Sequence, residues 1–398
     1  MSELRRTADG PFPPSGNGRQ PRTRVLAVVG TRPEAIKMFS PVERLREREE
    51  DFETFVCSTG QHDELLADAL DTFSLTADHH LAAMRPGQQP EDVAWLVAAW
   101  MSDLCRRVRP DVVLVQGDTT TAMAAGLAGF YSPAVLAHIE AGLRTYDNRA
   151  PWPEEAHRRV LGAVADLHFA PSELAAANLI REGVAHDAVH VTGNTGIDAL
   201  HWALAKPRTA PAPSEGERRV VVTAHRRESI PDGIGAIARS VRELAVGFPD
   251  VRFQFVIHPS PSIGDAVMAE LAGERPENVE VRSPCDYITF VRMLADSFFI
   301  ITDSGGVQEE APALGKPVLV VNHRTAREEP LTAGTATLVG TNVSDIVAAA
   351  TRLLGDSRHY ARMAVAHDPY GDGRAGERIA ELLTTAVRLI PREVSVGS

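Results

Sequence analysis

Several segments of this sequence set chemically capable side chains directly behind short apolar runs, where strands would end. QGDTTTA (116–122) carries Asp118, HIEAGLRT (138–145) carries Glu140, and PWPEEAHRR (151–159) opens a helical stretch with Glu154 and Glu155. One carboxylate behind a strand is commonly a helix cap, but several converging on one cleft form a general acid/base set. VTAHRRES (222–229) adds His225 beside Arg226 and Arg227, whose charges disfavour an imidazolium and leave a neutral ring near pH 7. Two loops could hold an anion. In GTRPEAIK (30–37), Gly30 and the helix start behind it offer backbone N–H groups, with Arg32 and Lys37 as charge partners; a plain turn is the other reading. In ITDSGGVQEEAPALGKPVLV (301–320), Ser304, Gly305 and Gly306 let the backbone approach a diphosphate, and Glu309 or Glu310 could accept ribose hydroxyls. The same residues could simply cap a helix, and the sequence leaves both readings open.

Other chemistries are disfavoured. There is no HExxH or comparable metal-ligand spacing, and His79 and His80 read as surface residues of a polar loop, so no metal is expected. Neither GxGxxG nor GxxxxGK[ST] occurs, which argues against nicotinamide, flavin and ATP, and no cofactor is expected. Lysine and arginine number 41 against 53 aspartates and glutamates, a net charge of −12, so the chain lacks the footprint of a nucleic-acid binder. Cys57, Cys105 and Cys285 are an odd, widely spaced set without a CxxC pair, as expected of a cytoplasmic protein. The most apolar stretch, 122–137, is broken by Ser132 and Pro133, so no membrane association is expected.

The elements that must position these residues are legible as a rhythm. VLAVVG (25–30), TFVCS (54–58), DVVLVQG (111–117), AVLAHIE (134–140), DLHFAPS (166–172) and AVHVTGN (188–194) are strand-length runs, separated by amphipathic stretches such as 91–108 and 119–130. Continuous apolar strands alternating with helices predict a parallel sheet buried on both faces. The proline-rich segment 205–218 interrupts the pattern, which restarts with VVVTAH (220–225), RFQFVIH (252–258), FFIITDS (298–304) and KPVLVV (316–321). The fold class is therefore α/β, with two doubly wound, Rossmann-like domains facing a cleft, and ligands belong beyond the carboxyl ends of the strands. The expected organisation is a disordered tail over 1–22, without the apolar middle of a signal peptide, a first domain over 23–195 and a second over 196–372. A C-terminal helix within 373–398 is expected to pack back on the first domain.

GTRPEAIKMFSPV, TGQH, QGDTTT, HIEAGLRT, PWPEEAHRR, TGNTGIDAL, VTAHRRES, TDSGGVQEEAPALGKPV, TAGT and PYGDGRA follow one another from about Val25 to about Ile390. This series resembles the non-hydrolysing UDP-N-acetylglucosamine 2-epimerases of bacteria. The resemblance implies a glycosyltransferase B type fold, a homodimer, and reversible conversion of UDP-N-acetylglucosamine to UDP-N-acetylmannosamine. It implies an acid/base group of Asp118, Glu140 and Glu154, with His225 at the diphosphate or in proton transfer, and UDP contacts from Arg32, Lys37, Phe290, Ser304, Gly305, Gly306, Glu310 and Arg327. The chemistry is coherent with these types. No carbonyl acidifies the C2–H bond of the sugar, but departure of UDP makes C1 cation-like, so that a carboxylate can then take the C2 proton. A UDP-sugar-dependent glycosyltransferase and a hydrolysing 2-epimerase are the alternatives.

Two departures from the family pattern stand out. TERPE is common before TAGT, whereas TAREEP (325–330) places Ala326 and Glu328 where a glutamate and a proline are usual, which should loosen that loop. Many family members are activated by a second substrate molecule, and Gln61, His62, Gln88, Arg226 and His258 match that site. Here Asp63 follows His62 where a cation is common, so weakened or absent activation is expected.

Overall fold

The computed structural model describes residues 22–60, 63–81, 88–209, 211–224, 232–257, 261–271 and 275–386. Its strands are β1 (Thr23–Val29), β2 (Phe52–Ser58), β3 (His79–His80), β4 (Val112–Gln116), β5 (Val135–Ile139), β6 (Leu167–Ala170), β7 (Val189–Val191), β8 (Arg218–Thr223), β9 (Val251–Val256), β10 (Val279–Arg282), β11 (Phe299–Thr302), β12 (Val318–Val320) and β13 (Ala336–Leu338). They form two wholly parallel sheets, ordered β3-β2-β1-β4-β5-β6-β7 and β10-β9-β8-β11-β12-β13. Central strands such as β4 and β5 are buried at every residue, because helices cover both faces and the backbone polar groups are spent in the ladders.

Each sheet grows outward in one direction, returns to its centre and grows the other way. The reversals lie between β1 and β4 in the first sheet and between β8 and β11 in the second. At such a reversal the two connections leave to opposite faces of the sheet and open a crevice above the strand ends. Many residues there also start helices: Thr31 accepts from Glu34 N, Thr119 from Ala122 N at 3.0 Å, and Asn194 from Gly196 N at 2.8 Å.

Three edge strands, β3, β10 and β13, are absent from the sequence reading, and one corrects it. His79 and His80 form β3, paired with Cys57 and Ser58, instead of lying in a polar loop; Asp78 fixes this edge by accepting from Val56 N at 2.8 Å. Helix Thr195–Ala205 links the sheets, lying against helix Arg32–Arg46 on one side and helices Tyr287–Asp296 and Gly305–Ala313 on the other. Helix Ala375–Ala386 returns to pack on Arg32–Arg46 as well. Asp198 pins this return: it accepts from Ser40 Oγ at 2.5 Å and from the first backbone N–H groups of the returning helix, Ala375 at 3.1 Å and Gly376 at 2.9 Å.

Candidate active site

Residues behind strands of both sheets meet in one buried cluster of charges. Lys37, on the first turns of helix Arg32–Arg46, donates to Glu140 and, at 2.7 Å, to Glu309 of helix Gly305–Ala313. Arg327 donates from Nε to Glu309 at 2.8 Å, its terminal amine lies 2.8 Å from the same oxygen as an ion pair, and it reaches Glu140 at 3.6 Å. Two cations and two carboxylates, contributed by both sheets, thus neutralise one another where little water reaches. Burial alone would make such charges costly, and their mutual hydrogen bonds offset that cost.

The two carboxylates are not equivalent. Burial pushes Glu309 up, but the charges and hydrogen bonds of Lys37 and Arg327 outweigh it and hold the group below the ordinary carboxylate range. Glu140 is raised, by burial first and by the charge of Glu309 second. It is therefore the more readily protonated of the pair. Glu140 is also held at a φ of 63°, in the left-handed region that a residue with a Cβ adopts at a cost of about 1 kcal/mol. Gln116 Nε2 at 3.0 Å and Asn194 Nδ2 at 3.4 Å complete its surroundings.

Asp118 lies behind β4 and accepts a hydrogen bond from Arg158 Nε at 2.7 Å, with the terminal amine of Arg158 in ion-pair contact with the same oxygen at 2.6 Å. Burial raises this carboxyl, but Arg158 and then Arg327 more than compensate, so it is held below its usual range and is charged at neutral pH. Arg158 also donates to the fully buried Glu155 at 3.0 Å, one helical turn back. Glu154 stands half-buried at the start of the same helix, Glu154–Val164.

The second loop does not behave as a helix cap. Ser304 makes no side-chain capping bond, Glu309 belongs to the charge cluster, and Glu310 accepts from Tyr287 Oη at 2.9 Å. Burial raises Glu310 to about 7. A Cβ on Gly305 would lie 2.9 Å from the guanidinium carbon of Arg327, so glycine is required for that close approach, whereas Gly306 faces open space. Arg32 donates to the Cys285 carbonyl at 2.8 Å, across the two sheets, and Phe290 is half-buried one turn along helix Tyr287–Asp296. The TAREEP loop is held with Glu328 in place of the usual proline: Thr325 donates to Gln308 at 2.7 Å, Ala326 packs with Leu143, Ala170 and Ala175, and Glu329 accepts from Ser172 and, at 2.8 Å, from Tyr370.

His225, Arg226, Gln61, His62 and His258 lie outside the described residues, and Gln88 is half-buried two residues before helix Pro90–Val108. Glu34, Arg158, Gln116 and Asn194 are site residues that the sequence reading did not single out. Among the described residues, no group of three histidine, cysteine, aspartate or glutamate side chains could hold a metal ion.

Two doubly wound parallel domains with a buried charge cluster between their strand ends define a two-domain α/β class that holds its ligands beyond the carboxyl ends of the strands. Residues 44–384 match the family model described as UDP-N-acetylglucosamine 2-epimerase. A UDP-N-acetylglucosamine 2-epimerase from Yersinia pestis is 43% identical over 371 residues, covering 90% of this chain and 98% of that protein. The crystal structure of UDP-GlcNAc 2-epimerase from Neisseria meningitidis bound to UDP-GlcNAc is 40% identical, with a TM-score of 0.87 over 91% of this chain and 99% of that one. The chain belongs to the UDP-N-acetylglucosamine 2-epimerase family. The glycosyltransferase SnogD from Streptomyces nogalater shares the fold alone, at 19% identity and a TM-score of 0.54. The architecture is accordingly of the glycosyltransferase B type.

Proposed function

We propose that this protein reversibly converts UDP-N-acetylglucosamine to UDP-N-acetylmannosamine, as a non-hydrolysing 2-epimerase, by eliminating UDP and adding it back to a glucal. The observation that carries the reading is the cluster of Lys37, Arg327, Glu140 and Glu309 beside Asp118, built from both sheets behind their strand ends. Elimination needs cations for the leaving diphosphate and a carboxylate that can take a proton from C2, and both lie within one water-poor site. In this reading Lys37, Arg327, Arg32 and the Ser304-Gly305-Gly306 loop face the diphosphate, Glu310 and Phe290 face the nucleoside, and Asp118, Glu140 and Glu154 serve the sugar. His225 completes the acid/base group. Glu140, the less acidic partner, is suited to exchange a proton, while Glu309 stays charged and holds both cations in place.

The working units in this reading are 23–195 with the returning segment 373–398, and 196–372. The setting is the cytoplasm, consistent with three unpaired cysteines and with no described helix long and apolar enough to cross a membrane. The assembly is a homodimer. Supporting this, the outer face of the helices flanking β4 exposes Trp95, Phe130 and Tyr131, at 76%, 50% and 79% of their full surface.

The deciding experiment incubates the protein with UDP-N-acetylglucosamine alone in deuterated water and follows products by nuclear magnetic resonance. Deuterium at C2 in both nucleotide sugars is expected. Release of free N-acetylmannosamine would instead identify a hydrolase, and turnover only with an added acceptor would identify a transferase.

A further inference from the structure

Two buried histidines outside the charge cluster have a common target, the backbone on either side of Asp118. His138, in the middle of the buried strand β5, places Nε2 2.7 Å from the carbonyl oxygen of Gly117. His157, on helix Glu154–Val164, places Nδ1 2.8 Å from the carbonyl oxygen of Asp118 itself. A carbonyl can only accept, so each ring nitrogen must carry its proton, which fixes the tautomer of both rings. We infer that His138 and His157 are positioning residues that lock the two peptide planes flanking Asp118 and thereby aim its carboxylate at the reacting sugar.

The carbonyl of Gly117 belongs to the peptide plane that sets φ of Asp118, and the carbonyl of Asp118 belongs to the plane that sets its ψ. With both planes tethered, the direction of the Cα–Cβ bond is fixed, and Arg158 then holds one carboxylate oxygen by its Nε hydrogen bond and the ion-pair contact of its terminal amine. Gly117 lets the chain reach this arrangement: its φ is +72°, and its own N–H is bound to Ile139 O at 2.9 Å. The turn is therefore held from strand β5 by two hydrogen bonds and from helix Glu154–Val164 by two more and an ion-pair contact.

Imidazole suits this task because it can donate without bringing a charge. Burial lowers His138 to about 3 and also lowers His157, so both rings are neutral at working pH. A lysine or arginine in either place would add a further cation near Asp118 and weaken it as a base. The other nitrogen of His138, Nδ1, is buried and makes no hydrogen bond within the described structure, so the strand carries an orphaned acceptor for the sake of one bond to Gly117.

This inference rests on the proposed acid/base role of Asp118, and its test separates the two. Parent, Asp118→Asn, His157→Ala, His157→Asn, His138→Leu and His138→Gln proteins are compared for deuterium uptake at C2 of UDP-N-acetylglucosamine, for KM, for UDP affinity by calorimetry and for melting temperature. Loss of either imidazole should lower kcat about 10- to 100-fold, the scale of a misplacement near 1 Å, while KM and UDP affinity stay within about twofold. Asparagine at 157 and glutamine at 138 place an amide N–H near the missing ring nitrogen and should recover most of the loss. If His138→Leu does not fold, the two variants at 157 carry the test unaided. Unchanged kcat in the folded variants that lack the imidazole donor, or a loss shared equally with UDP affinity, overturns the positioning role. A parent that takes up no deuterium overturns the proposed reaction and this inference together, whereas an active parent with a dead Asp118→Asn and active histidine variants overturns this inference alone.

Discussion

Asp118 is kept charged by a guanidinium that does not deprotonate, and that constancy is what the acid/base role proposed for it requires across the working range of pH. Asp118→Asn preserves shape but cannot take a proton, so turnover should fall by about two to four orders of magnitude with UDP affinity retained. A rate within about threefold of the parent would remove Asp118 from the chemistry. On the nucleotide side, Glu310→Ala and Arg327→Ala should each weaken UDP binding by about 1.5–3 kcal/mol, measured by titration calorimetry; unchanged affinity in both would take helix Gly305–Ala313 out of the site. The residues behind these predictions were legible in the sequence because they follow strands or sit in distinctive loops. Their partners were not. Arg158 and Arg159 are adjacent and chemically identical, yet one is buried on Asp118 and the other exposed. The one available signal is the three-residue spacing from Glu155 to Arg158, which puts both on one helical face. Glu34 was hidden differently, since its three-residue spacing from Thr31 is that of an ordinary capping box and carries no sign of a contact with another loop.

At the scale of elements, Glu34 does more than cap. Its carboxyl accepts from Gly30 N at 2.9 Å and Thr31 Oγ1 at 2.9 Å behind β1, and from Thr119 Oγ1 at 2.5 Å behind β4, so it joins the two loops that flank the first reversal. Burial, working against these hydrogen bonds, raises the group from 4.5 to about 7. The folded protein then holds a proton that the unfolded chain has already released. The stability this proton confers is full below about pH 4.5 and is lost as the pH rises through about 7. Glu34→Gln removes the titration, so the melting temperature of the variant minus that of the parent should become more positive between about pH 5 and about pH 7.5. Glu310 titrates with the same sign but is present in both proteins and cancels; a flat difference would show that Glu34 is charged throughout. The elements themselves were readable where they are buried. Central strands announce themselves as unbroken apolar runs because both faces are covered, whereas β3 is two histidines, and β10 and β13 are short stretches at sheet edges where one side meets solvent and the apolar signal fades.

For the whole molecule, the chain crosses between the two halves at points packed side by side. Gly193 has a φ of +89° and Gly371 a φ of +99°; a Cβ on Gly371 would lie 3.0 Å from the Cα of Gly193, and Asn194 N donates to Tyr370 O at 2.7 Å. Beyond these crossings Asp198 fastens the returning helix. Asp198→Ala leaves three buried donors without their acceptor and should cost about 2–4 kcal/mol in denaturant unfolding, with a lowered midpoint; a change below about 0.5 kcal/mol would mean that apolar packing alone seats the helix. This return path also sets a timetable for synthesis. The side of helix Arg32–Arg46 that Ala375–Ala386 covers is made early and covered late, since more than three hundred residues must be added in between. At ribosomal speed the interval is on the order of tens of seconds, during which the first half is exposed along an apolar seam. The nascent chain should therefore be a client of holding chaperones until its last helix emerges, and a chain ended before Ala375 should stay bound to them or aggregate while the full chain is released.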